Sequence, residues 1–193
     1  VASRRVKKPV RRRATPIVAF SGPSGVGKTT LLVALVRELT ARGLQVSAIK
    51  HSPHPHALDV PGKDSDLLAR AGAAGVAVQS GAALALFTPP PRGGPRALAR
   101  RLPPSDLVLV EGWREARLPR VEVHRRSVNR GFACAEGRGF VAVVSDEPPP
   151  RRLPAFDADE VGALADFLVR RFRLRAARGG RRSSTRTDAP PLS

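Results

Sequence analysis

Ile17-Val18-Ala19-Phe20-Ser21-Gly22-Pro23-Ser24-Gly25-Val26-Gly27-Lys28-Thr29-Thr30 joins an apolar, β-prone run to a glycine-rich turn, and from Gly22 to Thr29 it fits the pattern G-x-x-x-x-G-K-[ST] at every fixed position. That pattern carries meaning only between a strand and a helix. Both are present, since 17–20 reads as a strand and the stretch from Lys28 to Ala41 as a helix. Glycines let backbone N–H groups turn inward around an anion, and the following helix adds the positive end of its dipole. The segment therefore predicts a cradle for a chain of phosphates, formed by Gly22, Pro23, Ser24, Gly25, Val26, Gly27, Lys28, Thr29 and Thr30. Lys28 is expected on the β- and γ-phosphates, the Thr29 hydroxyl on a magnesium ion (Mg2+), and Thr30 within reach of the α-phosphate.

Outward from this segment, strand and helix signals alternate, which predicts a single α/β domain over 14–173. The expected architecture is a P-loop NTPase-type three-layer fold, with a mostly parallel central sheet and helices on both faces. Arg42-Gly43 closes the first helix, a basic residue in its last turn and a glycine after it. A second strand is expected at 44–49, then a proline-broken loop at 51–64, and a short helix at 65–71 capped by Ser65. Further strands are read at 76–79 and 83–87 around the turn Ser80-Gly81, at 121–124 and at 140–144, with a brief helix at 96–101. Leu107-Val108-Leu109-Val110 is the most apolar strand, as expected in the middle of a parallel sheet. A last helix opens at Asp157, with Glu160 three positions on as a capping box, and runs to Phe172. Leu164, Phe167, Leu168 and Phe172 give that helix its core face.

The net charge of +18 lies mainly at the ends: 1–13 holds seven Lys/Arg and no acid, and 170–193 eight Arg against one acid. The intervening 14–169 has 19 basic and 15 acidic residues, a net of +4. Segments 1–13 and 174–193 read as disordered basic arms, too poor in apolar surface to offset ordering entropy. Charge confined to tails, with no Tyr and one Trp, argues against a nucleic-acid-binding face. No apolar stretch reaches the ~18 residues of a spanning helix, and the first residues lack a signal-peptide core. A single cysteine, Cys134, forms no internal disulfide, so a reducing cytoplasm is the expected setting.

A phosphate loop holds Mg2+ best with a carboxylate at the end of a neighbouring strand. Glu111 occupies that place, whereas Asp106, before the same strand, belongs to a turn or cap at the opposite sheet edge. Loops leaving the C-terminal strand edges meet over the ligand in such folds. Asp59 or Asp64 is thereby placed to touch the metal and Lys63 a phosphate, with Asp64 and Ser65 alternatively serving only to start a helix. Lys28, Asp59, Asp64 and Glu111 are the candidates for catalysis. His51, His54 and His56 read as a polar loop rather than a transition-metal site, because prolines separate them and Mg2+ prefers oxygen.

Taken together, GPSGVGKTTL at 22–31, IKH at 49–51, DVPGKDS at 59–65, ARAGAAGV at 69–76, DLVLVEGW at 106–113 and LPRVEVHR at 118–125 resemble the molybdopterin-guanine dinucleotide biosynthesis protein B (MobB) family in order and spacing. The resemblance covers about 16–170. It implies a dimeric GTP-binding accessory protein for the enzyme that joins GMP to molybdopterin, with GTP and Mg2+ as ligands and weak GTP hydrolysis. Its implied partners are the guanylyltransferase MobA and the molybdenum-insertion proteins. Carried over by motif, Gly22, Gly25, Gly27, Lys28, Thr29 and Thr30 bind phosphate and Mg2+, with Asp59, Lys63, Asp64 and Glu111 as their neighbours. No N-K-x-D guanine reader is present, and Val144-Ser145-Asp146 is the best candidate for that task. Slow hydrolysis is expected because the sequence assigns no arginine finger or water-orienting glutamine. A P-loop small-molecule kinase or ligase similar to dethiobiotin synthetase is the alternative reading.

Overall fold

The computed structural model describes residues 14–52, 58–81 and 83–176. The basic arm 1–13, His54, His56 and residues 177–193 of the second arm lie outside them. In chain order the elements are β1 (Ile17–Ser21), α1 (Lys28–Ala41), β2 (Val46–Lys50), α2 (Asp64–Arg70), β3 (Val76–Ser80), β4 (Ala83–Phe87), α3 (Gly94–Ala99), β5 (Leu107–Glu111), β6 (Arg120–Val123), a 3-10 turn (Ala133–Ala135), β7 (Phe140–Val144), β8 (Ala155–Phe156) and α4 (Val161–Phe172). Six strands form one sheet in the order β2-β5-β1-β6-β7-β8. Every neighbouring pair in it is parallel. Strand β1 is interior, so the loop that follows it emerges at the middle of the C-terminal edge.

Two apolar layers hold the sheet. Phe20, Leu109, Val121 and Val144 pack under Leu35 and Leu39 of α1 and Leu164 and Leu168 of α4. On the opposite face Ile17, Ala19, Val108 and Val110 meet Leu98 of α3, Leu102 and Trp113. Consecutive residues of β5 therefore feed both layers, and all of Leu107–Val110 are at most 1% exposed, as its unbroken apolar run predicts. Arg42 ties α1 to α4 through Asp166 and the Gly162 carbonyl. Half-exposed ion pairs of this kind contribute at most about 1 kcal/mol. The burial of Leu35, Leu39, Leu164 and Leu168 does most of the joining.

Several elements depart from the sequence reading. Strand β2 starts at Val46 rather than 44 because the Leu44 N–H is spent on the Leu39 carbonyl, ending α1. Helix α2 starts at Asp64, and Ser65 does not cap it: Lys63 holds the cap position in an extended conformation, while the Ser65 hydroxyl donates to Asp59 Oδ1 at 3.0 Å. Helix α3 is Gly94–Ala99, two residues earlier than expected. The Asp157/Glu160 pair is formed in one direction, the Asp157 N–H donating to Glu160 Oε2 at 2.8 Å, but it closes a turn and α4 begins only at Val161. Leu174, assigned to the disordered tail from sequence, is 9% exposed and packs in the α1/α4 layer. The folded part therefore runs past 173.

The largest departure is β3–β4, an antiparallel hairpin outside the six-stranded sheet. Its outer positions Leu84 and Leu86 are each 64% exposed, and α2 buries none of its own residues. Among the described residues no helix is long and apolar enough to cross a membrane.

Candidate functional site

The phosphate-loop residues form the turn between β1 and α1, seated on the neighbouring strand. A Cβ on Gly22 would lie 2.4 Å from the Val123 carbonyl oxygen of β6, so no side chain fits there without moving a strand. Gly25 and Gly27 take left-handed φ of 79° and 92°, conformations open to glycine at little cost. Val26 turns inward instead, 1% exposed within the α1 layer. Its side chain anchors the loop, leaving backbone as its contribution to the cradle. Ser24, Thr29 and Thr30 are exposed and Pro23 half-buried. Helix α1 begins at Lys28, so its first N–H groups have no partner inside the helix and remain for an anion.

Lys28 Nζ donates to the carbonyls of Gly22 at 2.9 Å and Pro23 at 2.6 Å, which folds the side chain back over its own loop. Burial is the largest cause of a Lys28 pKa below the ordinary lysine value; Glu111 opposes it, and Arg114 and Lys50 add to it. A cation held this way gains most from a polyanion that brings compensating charge. The Thr29 hydroxyl donates to Glu111, 3.0 Å from Oε1 and 2.9 Å from Oε2. Lys50 Nζ lies 3.6 Å from Glu111 Oε1. Thr29 and Glu111, 82 residues apart in sequence, thus bring hard oxygen donors together beside an ammonium group, a donor set of the type Mg2+ prefers.

Asp59 and Lys63 precede α2 and Asp64 opens it; among the described residues no hydrogen bond or ion pair joins them to Thr29 or Glu111. Asp59 Oδ1 accepts from the Val60 N–H and from the Ser65 hydroxyl, tying the loop before α2 to the first turn of that helix. Asp106 accepts the Gln45 N–H at 2.8 Å, the turn role expected of it at the far edge. His51 stacks on Trp113, centroids 4.4 Å apart and planes 20° apart, and its N–H donates to the Glu111 carbonyl. Among the described residues no three His, Cys, Asp or Glu side chains converge on a metal. Trp113 itself has φ 61°, a genuine outlier for so bulky a residue, two positions after Glu111.

Sequence reasoning missed the polar cluster on β6. Glu122, 1% exposed, accepts the N–H groups of Ala133 at 2.6 Å and Cys134 at 2.8 Å. His124, also 1% exposed, stacks on Phe132 and bonds Glu147. The signal was visible as alternating polar residues in Arg120-Val121-Glu122-Val123-His124, but their partners come from loops far along the chain. Burial, with Glu122 alongside, pushes the Cys134 thiol up to about 12. Only the thiolate alkylates. Folded protein at about pH 8 is therefore expected to leave Cys134 unmodified by iodoacetamide, and urea-unfolded protein to take one label by mass spectrometry; rapid labelling of the folded form would contradict this burial.

An all-parallel sheet, a phosphate loop between its interior strand and a packed helix, and an acid at the end of the adjacent strand define an α/β protein of the P-loop type. A family model described as molybdopterin guanine dinucleotide synthesis protein B (MobB) matches residues 17–146. The chain belongs to the MobB family. It is 39% identical over 160 residues to the molybdopterin-guanine dinucleotide biosynthesis adapter protein of Escherichia coli strain K12, a match covering 80% of this chain and 91% of that one. Its identity to the protein of the same description from Haemophilus influenzae is 33% over 156 residues, covering 79% and 87%. Among solved structures, a molybdopterin-guanine biosynthesis protein B superposes with TM-score 0.63 at 28% identity over 81% of this chain and 99% of that one. A MobB homologue from Bacillus stearothermophilus gives TM-score 0.60 at 26% identity over 81% and 97%. The expected family and fold class are thereby established.

Proposed function

We propose that this chain is a GTP-binding adapter in the making of molybdopterin guanine dinucleotide, assisting the guanylyltransferase MobA as it attaches GMP to molybdopterin and meeting the molybdenum-insertion proteins. The observation that carries the reading is the Thr29 hydroxyl held by both oxygens of Glu111 directly behind the phosphate loop. Thr29 and Glu111 would hold a magnesium ion, whose charge would offset that of the phosphates. On binding, Lys28 would exchange the Gly22 and Pro23 carbonyls for the β- and γ-phosphates. Asp146, exposed and accepting the Arg126 N–H at 2.9 Å, keeps a pKa below the usual carboxylate value chiefly because of that bond. A fixed carboxylate suits guanine, whose N1–H and N2–H2 both donate. Hydrolysis is slow in this reading, so the bound nucleotide serves recognition more than turnover. Calorimetric titration tests it: one Mg·GTP per chain is expected, with weaker binding of Mg·ATP and weaker binding without Mg2+. Heat-silent titration with Mg·GTP and no competition against a fluorescent analogue would end the proposal.

A homodimer belongs to the same reading. The exposed leucines Leu84 and Leu86, which share one face of the hairpin, support a second copy as the occupant. Neighbouring large apolar side chains left exposed on one strand face suit an association site. Sedimentation is expected to show a dimer that the double variant Leu84→Glu, Leu86→Glu converts to a monomer; an unchanged sedimentation coefficient would place the interface elsewhere.

A further inference from the structure

Ser21, Glu122 and Val143 are register partners across β1, β6 and β7, so their side chains share one sheet face. His124 follows two residues after Glu122 on that face, its N–H continuing the ladder to the Val144 carbonyl. Its ring is held on two sides. Phe132 stacks on it at 3.8 Å between centroids, 8° from parallel, and Nε2 lies 2.6 Å from Glu147 Oε1. A carboxylate only accepts, so Nε2 carries the proton and donates; in the neutral ring Nδ1 is then an acceptor. That Nδ1 is buried with no hydrogen-bond partner among the described residues, as is the Ser21 hydroxyl. An orphaned buried polar atom is destabilising, because it gives up water without gaining a partner. A position that needed only packing would be served better by an apolar ring.

What the imidazole holds is the segment after β7. Glu147 returns its N–H to Ser145 Oγ, Asp146 accepts from Arg126, and Arg126 and His124 both leave the end of β6. Residues 145–147 are thus pinned to the strand whose Val123 carbonyl floors Gly22. The sheet order fixes the direction in which a nucleotide would run. Glu111, on β5, stands on one flank of β1, and β6 and β7 stand on the other. With the metal-bearing phosphates toward Glu111, the nucleoside leaves over the ends of β6 and β7.

Resting on the GTP-binding reading, we infer that His124, through Glu147, is a positioning residue for base recognition: it sets the 145–147 segment against the phosphate loop so that Asp146 meets the base at the correct distance. It touches neither phosphate nor metal. Its loss acts on base selectivity and spares the triphosphate cradle.

The test compares Mg·GTP, Mg·ATP and Mg·tripolyphosphate by competition against a fluorescent guanosine triphosphate analogue, in wild type, His124→Phe, His124→Gln and Glu147→Gln. His124→Phe keeps the ring stack and removes the bond, and is expected to weaken GTP at least tenfold and to bring the GTP-to-ATP ratio near one, with tripolyphosphate within twofold. Glu147→Gln, at a partly exposed position less demanding for folding, is expected to move the ratio the same way. His124→Gln, which can still donate, is expected to restore most of it. An unchanged ratio in both His124→Phe and Glu147→Gln, or an equal loss of tripolyphosphate binding, overturns the inference while leaving the GTP reading intact. A wild type that binds GTP and ATP equally overturns both.

Discussion

Lys28→Ala is expected to weaken Mg·GTP binding about 100- to 1000-fold while the melting temperature stays within a few degrees of wild type. The asymmetry follows from what the ammonium does in the two states. Without ligand, Lys28 bonds two carbonyls of its own loop and sits among Glu111, Lys50 and Arg114. Desolvation and two cations oppose the charged group, one carboxylate and two carbonyls favour it, and the balance leaves its pKa below the ordinary lysine value, so its removal costs the fold little. With a triphosphate the same group would bond two phosphates, and hydrogen bonds to charged groups contribute about 1.5–3 kcal/mol each. Two of them total about 3–6 kcal/mol, and the two carbonyl bonds given up in exchange bring the net to about 3–4 kcal/mol, the stated loss at about 1.4 kcal/mol per factor of ten. Lys28→Arg is expected to rescue little, because a planar fork does not replace a point charge at the end of a flexible stem. Calorimetry and thermal melting on the same samples check both halves. Full affinity in Lys28→Ala would place the phosphates somewhere other than residues 22–30.

How far this site could be read from sequence depends on how local its causes are. Helix α1 was legible to its last residue because glycines punctuate both ends, Gly27 before it and Gly43 after it. Strand β5 was legible because burial on both faces leaves an unbroken apolar run. The sheet order itself follows from alternation of strands and helices only in outline; the hairpin β3–β4 carries the same strand signal as its neighbours, and nothing in residues 76–87 states that it pairs with itself alone. His51 looked like one member of a histidine tract, yet its ring lies on Trp113, 62 positions away in sequence. Glu122 and His124 were read only as strand residues, since the N–H groups and the carboxylate that satisfy them arrive from 133–134 and 147. Capping pairs mislead in a milder way. Asp157 and Glu160 do find each other, but the bond stabilises a turn one step before the helix it was expected to start.

Gly112→Ala is expected to lower the melting temperature by roughly 6–12 °C. Gly112 has φ 86°, and a Cβ there would stand 2.7 Å from the His51 carbonyl oxygen. A left-handed conformation costs a non-glycine residue about 1–2 kcal/mol, and forcing atoms into a filled space adds about 1–3 kcal/mol. A total near 3 kcal/mol gives that shift for a chain of this size, at about 2–4 °C per kcal/mol. Backbone is what it would strike, so a rotamer change cannot relieve the overlap. Gly72→Ala separates the two contributions, because Gly72 has φ 100° with nothing within 4 Å of its added Cβ; only the conformational part, about 1–2 kcal/mol, is expected there. The consequence for function runs through the neighbours. His51 is bonded to the Glu111 carbonyl and stacked on Trp113, so displacing it moves both the acid that holds Thr29 and the left-handed Trp113 beside it. Trp113 is the only tryptophan in the chain, and its emission is expected to shift to the red as the stack opens in Gly112→Ala and to stay unchanged in Gly72→Ala. Equal melting points for the two variants would mean that the contact between residue 112 and His51 yields freely, and that the Glu111 end of the site is softer than its close packing implies.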